Sequence, residues 1–144
     1  MFKNKYFSLL KYNKFMFGEQ IVSQFVIFEY KYLFSIIIFY FHKSNGVQDR
    51  FHTHAFNAFS IKLFGKYTEY VLLSELTGEF KYAIRNKIFK FFPKNSYHKI
   101  GNSTGCCTIL FSGKWENNWK EYIDNIKTVN TYSIGRKIEN TNKN

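Results

Sequence analysis

Short apolar and aromatic runs alternate along the chain with polar turn signals, and few stretches show helical periodicity. Leu33 to Phe41, LFSIIIFYF, is β-branched and aromatic and bounded by polar residues. It predicts a strand buried on both faces, or the hairpin partner of an entering strand within Lys14 to Ile27. Ser44-Asn45-Gly46 is a turn signal that Gln48-Asp49-Arg50 extends into a loop. The next strand carries His52 and His54 and runs on through Phe56, Ala58 and Ser60 on one face. Phe64-Gly65-Lys66 turns the chain into a strand over Lys66 to Leu73, and a polar turn at Ser74 to Gly78 precedes another over Glu79 to Asn86.

Lys87 to Phe92 leads into Pro93, the chain's single proline, and a turn over Gly101 to Gly105 opens the strand Cys106 to Phe111. Trp115 to Ile126 has apolar spacings of three and four, which predicts an irregular strand ending in a short amphipathic helix. Met1 to Asn13 reads as a short helix or a frayed lead-in; past Val129 the chain turns polar, and Lys137 to Asn144 reads as a disordered tail. The expected organisation is a lead-in over 1–24, a barrel over 25–126 and a tail over 127–144. The fold class is all-β, a single-domain sandwich or barrel with at most short helices near the termini.

Composition agrees with strands. Aromatics make up 22% of the 144 residues, and the length suits one domain with one core. The net charge of +11 raises a nucleic-acid or anionic-surface reading, but the lysines are scattered and form no arginine-rich run. A compositional bias towards Lys, Asn, Ile, Phe and Tyr explains the charge without a partner, which makes nucleic acid the lesser alternative.

Adjacent Cys106 and Cys107 are neither a disulfide framework nor a zinc or redox spacing, and on a strand only one of them faces the interior. A reducing, cytoplasmic setting follows as the expectation. Glu29 and Lys31 interrupt the apolar run from Phe25 to Phe41, and the remainder falls well short of the ~20 residues of a spanning helix. No membrane partner is expected.

His52 and His54 are two apart and project from one strand face, where two imidazoles can serve one metal. His98 has to join them from another strand, which a barrel allows. Neutral imidazoles suit Fe, Zn, Cu, Ni or Mn and leave coordination positions open. Taken alone, a histidine pair at this spacing is equally explained by packing. His42 ends a strand away from both groups and reads as exposed or hydrogen-bonded.

Together these stretches resemble the cupins, small double-stranded β-helix or jelly-roll proteins of the RmlC-like type. Their motifs run G-x5-HxH-x3/4-E-x6-G and then G-x5-PxG-x2-H-x3-N. Here Gly46, five residues, and His52-Thr53-His54 are followed by Ala58 at the glutamate position and by Gly65. Pro93, His98 and Asn102 match the second motif, with Asn95 in place of its glycine as another residue that tolerates a left-handed turn. The resemblance covers about Leu33 to Tyr122. A narrower group of small bacterial and phage-borne cupins has a GxYxE segment that Gly65, Tyr67 and Glu69 match, and it closes with an aromatic–tryptophan segment like Phe111 and Trp119.

The resemblance implies a metal site of His52, His54 and His98 for Fe, Mn, Zn or Ni. Ala58 removes the usual carboxylate, so the expected site is three-histidine and open, as in some thiol-oxidising cupins. Glu69 and Tyr67 are the candidate catalytic residues, each with a competing structural role. Tyr97, Cys106 and Cys107 could contact the cavity or simply pack. The expected function is a small-molecule metal cupin, an oxygenase or isomerase. The alternatives are a non-catalytic ligand-binding cupin and a basic nucleic-acid-associated barrel. A homodimer through strands is a further expectation.

Overall fold

The structure, a computed structural model, describes the backbone of residues 7–48, 50–133 and 136–142, and side chains as far as 132. Fourteen strands follow in chain order: β1 Phe7–Phe17, β2 Gln20–Tyr30, β3 Phe34–Phe41, β4 Ser44–Val47, β5 Phe51–His52, β6 Ala58–Phe64 and β7 Thr68–Leu72, then β8 Phe80–Ile84, β9 Phe89–Phe92, β10 His98–Ser103, β11 Cys106–Ser112, β12 Asn118–Ile123, β13 Thr128–Ser133 and β14 Arg136–Asn142. They form two antiparallel sheets. One has the order β1-β2-β3-β11-β6-β9, the other β14-β13-β12-β5-β10-β7-β8, with β4 also paired to β10. The expected all-β jelly roll is the observed architecture.

Two buried clusters fill the space between the sheets. Val26, Ile37, Ala55, Phe56, Ala58, Phe92 and Leu110 form one, and Val22, Phe41, Tyr67, Ile100 and Cys106 the other. Burying such side chains contributes about 1.5–3 kcal/mol each before entropy is counted. Phe51, adjacent to His52 in β5, projects to the opposite face and packs with Leu72, Tyr97, Tyr122 and Val129. That alternation leaves His52 facing between the sheets.

The strand expected to carry both histidines and continue through Ser60 is broken. β5 ends at His52, and the chain then crosses to the other sheet before β6 begins at Ala58. Backbone bonds across the gap hold this crossing: Thr53 N donates to Lys120 O at 2.8 Å, and Glu116 N to Ala55 O at 2.6 Å. Period-two alternation cannot reveal such a crossing, because side chains on both inner faces still point at one core.

Several other elements differ from expectation. Phe7–Phe17 pairs along its length with β2 and is neither helix nor frayed chain; Met1 to Tyr6 lie outside the described residues. Of the two readings offered for Leu33–Phe41, the hairpin partner is the observed one, with β3 paired antiparallel to β2. Trp115–Ile126 holds strand β12 and a 3₁₀ turn, Asp124–Ile126, where an amphipathic helix was expected. β13 and β14 occupy the stretch expected as a flexible tail, because ladder hydrogen bonds to β12 and β13 need no apolar pattern. Cys106 and Cys107 are both buried; on the second face Tyr40 and Phe64, the cross-strand partners of Cys107, flank it.

Two motif positions are backbone devices. Gly65 has φ +79°, and a Cβ there would stand 2.1 Å from the Gly105 carbonyl oxygen, so this turn admits only glycine. The left-handed residue of the second motif is Asn102 (φ 50°), at a bulge in β10, and Asn95 does not take that conformation.

Candidate metal centre

His52 and His98 lie directly opposite each other on β5 and β10, which brings their rings to 4.8 Å between centroids. His54, just beyond β5, approaches both, at 5.2 Å from His52 and 4.9 Å from His98. Its Nε2 is 2.8 Å from Nε2 of His98. One nitrogen from each of the three rings lies within 4.8 Å of the others. The chain thus joins residues from two separate stretches at one point.

Glu69 supports the third ring. It faces Ile100 across β7 and β10, diagonal to His98, and its Oε1 lies 3.0 Å from Nδ1 of His98. Its other oxygen pairs with the Lys90 ammonium. Lys90 also lies over the Phe92 ring at 5.0 Å. A carboxylate accepting from Nδ1–H fixes the tautomer of His98 and leaves its Nε2 lone pair directed at the cluster.

Aromatic rings flank the cluster. Phe17 stacks on His52 at 5.8 Å, Phe56 on His54 at 5.2 Å, and Phe92 packs on His98 at 5.1 Å. Burial therefore pushes the basicity of His52 and His98 down to about 3, helped by His98 in the first case and by Lys90 in the second. His54 is held well below the usual histidine range by burial, then by His98 and His52. All three rings are neutral near pH 7, the form that ligates metals.

The cluster opens on a cavity of about 250 Å³ walled by Phe39, Phe41, Leu110, Trp115 and other apolar side chains. Neutral, convergent imidazoles fit a divalent transition ion. The widest separation, 4.8 Å, exceeds the ~4.2 Å that two ligands at about 2.1 Å can span, so the rings have to close slightly around an ion.

No protein-family model matches the sequence, and no curated protein does. Solved structures do match. Oxalate decarboxylase from Bacillus subtilis superposes with TM-score 0.51 at 10% identity, over 75% of this chain and 28% of that one. An RmlC-like cupin from Shewanella frigidimarina gives TM-score 0.51 at 15% identity, over 72% of this chain and 83% of that one. The fold is that of the cupins.

The chain spans less than a third of the oxalate decarboxylase, a protein described with Mn(II) centres. Its Ala58, at the position of the cupin glutamate, lies buried among Val26, Ile37, Phe92 and Leu110, and supplies no ligand atom. Tyr67 is buried on the cavity wall, whereas Glu69 stands behind His98 and does not line the cavity. His42 is hydrogen-bonded to Ser23 Oγ at 2.7 Å, away from the cluster. Tyr97 and Cys106 belong to packed clusters, and Cys107 is buried; none of the three lines the cavity.

Sequence reasoning missed Lys90 and Arg85. Lys90 neutralises Glu69, and buried Arg85 donates to Tyr67 and Ser60. Nothing in a strand-edge lysine or arginine signals an inward course; only the burial of their partners shows it.

Proposed function

We propose that this chain is a metal-binding cupin in which His52, His54 and His98 hold one divalent transition ion beside a small-molecule cavity. One observation carries the reading: three neutral imidazoles converge on the cavity, and the third is oriented from behind by a carboxylate. Fe, Mn, Zn or Ni suits the donor set, and the Mn(II) centres of the Bacillus oxalate decarboxylase make manganese a natural first ion to supply. A bound ion supplies Lewis-acid polarisation of a substrate oxygen, the chemistry of an oxygenase or isomerase.

The chain's own residues divide the remaining work. Glu69 is a positioning residue, because it acts through His98. Of the two candidate catalytic residues, Tyr67 lines the cavity and Glu69 does not, which supports Tyr67 as the one that meets a substrate, as a proton donor. Both carboxylate oxygens of Glu69 are engaged, by Lys90 and His98, and that observation favours a second reading, a ligand-binding cupin without turnover.

Elemental analysis of protein expressed with Fe, Mn, Zn or Ni supplied tests the first reading. It requires near-stoichiometric metal, lost in His52→Ala, His54→Ala and His98→Ala. Wild-type protein that retains none of the four ions sinks it. Retained metal with neither oxygen consumption nor isomerisation across a substrate panel selects the second reading.

A further inference from the structure

Arg85 brings a positive charge into the wall behind the cavity with no carboxylate among the described residues to match it. The residue follows β8 and is 4% exposed. Its Nη1 donates to Ser60 Oγ at 3.0 Å and to Tyr67 Oη at 2.8 Å. Its Nη2 donates to the carbonyl oxygens of Ser60 and Ile88 at 3.0 and 3.2 Å. Its Nε is buried without a partner. Among the described residues, no Asp or Glu stands within ion-pair distance of it.

The direction of these bonds decides what the two hydroxyls do next. A guanidinium only donates, so Ser60 Oγ and Tyr67 Oη both accept from one nitrogen and each keeps its own O–H proton. The structure gives neither proton an acceptor among the described residues, yet both side chains are buried and both line the cavity. Two hydroxyl donors held within 3.0 Å of one cationic nitrogen, beside a charge lacking a counter-ion, make a built receptor for an anionic oxygen. Phe41 packs against Tyr67 at 5.2 Å with Phe39 beside it, and the rest of the cavity is mostly apolar, with Gln24, Glu29 and Gln48 as polar members of its lining.

We propose that Ser60 and Tyr67, held by Arg85, form a two-donor cradle for a carboxylate, and that the cavity's ligand is a small organic acid with an apolar body. Tyr67 and Ser60 touch the acid directly. Arg85 positions them and supplies the compensating charge. Burial pushes the Tyr67 phenol up to about 12 against the opposing pull of Arg85, so it stays protonated and able to donate across the ordinary pH range. The proposal rests on reading the cavity as a ligand site, and it does not need the metal.

The test uses benzoate as probe and benzyl alcohol as its neutral counterpart. Binding is followed by calorimetry and by the fluorescence of Trp115 and Trp119, which line the cavity. The full chain is used both metal-loaded and chelator-treated, so that direct metal–carboxylate contact is separated from the cradle. Benzoate is expected to bind at least tenfold tighter than benzyl alcohol in both forms. Tyr67→Phe and Ser60→Ala, which keep shape and fold as checked by circular dichroism, should each weaken benzoate about tenfold and leave benzyl alcohol and metal content unchanged.

Equal affinity for the two probes, no benzoate binding at millimolar concentration, or unchanged benzoate affinity in Tyr67→Phe overturns the cradle. Benzoate selectivity without retained metal defeats only the metal centre. Retained metal without selectivity defeats only the cradle.

Discussion

Glu69 Oε1 lies 3.0 Å from Nδ1 of His98, on the edge of the ring opposite the Nε2 that meets His54. The contact converts His98 from a buried imidazole of either tautomer into a lone pair with a fixed direction. Glu69→Gln keeps the shape and weakens that acceptor. Its expected result is a 10- to 100-fold loss of metal affinity in a competitive chelator titration, with the fold retained. Unchanged affinity removes Glu69 from the site.

Acid should destabilise the metal-free protein. Above about pH 6.5 the three histidines are neutral in both folded and unfolded chains, and they add no pH dependence. As the pH falls from about 6.5 towards 3, the unfolded chain takes up protons that His52 and His98 refuse, and His54, also held below its usual range, acts in the same direction. Unfolding is then favoured by up to about tenfold per pH unit for each histidine. Urea titrations of chelator-treated protein from pH 7 to 4 should show this loss, and His54→Gln should show a shallower one.

Lys90 is one of the causes that depress His98. Lys90→Met removes the positive charge and frees the Glu69 carboxylate beside the ring, so His98 should protonate at higher pH in the folded state. The acid destabilisation becomes smaller, and the imidazole signal of His98 in an NMR titration moves upward in midpoint. A midpoint at or below that of the parent protein contradicts the Lys90–Glu69–His98 arrangement.

Gly65→Ala is expected to cost more than about 1 kcal/mol of stability in denaturant unfolding, since φ is +79° and the new methyl would meet the Gly105 carbonyl. An unchanged midpoint would mean that the β6–β7 turn relaxes freely.

Much of this protein is legible in the residue order. Apolar alternation and turn residues mark most strands, and His52, His54 and His98 stand out by spacing and by the motif residues Gly46, Gly65, Pro93 and Asn102. Ala58 is legible too, as the missing carboxylate. These signals are local: period-two patterns, backbone conformations and short spacings are written within a few residues of chain.

What the tertiary structure alone decided is long-range. The break after His52, the crossing to β6 and the pairing of β13 and β14 depend on which strands become neighbours. The course of Lys90 onto Glu69 and of Arg85 onto Ser60 and Tyr67 likewise joins residues far apart in the chain. A charged side chain at a strand edge reads as solvated by default; its inward course is set by the partners that folding places within reach. The three histidines are therefore a property of the sequence, while the charges that hold and tune the cavity behind them are a property of the packed sheets.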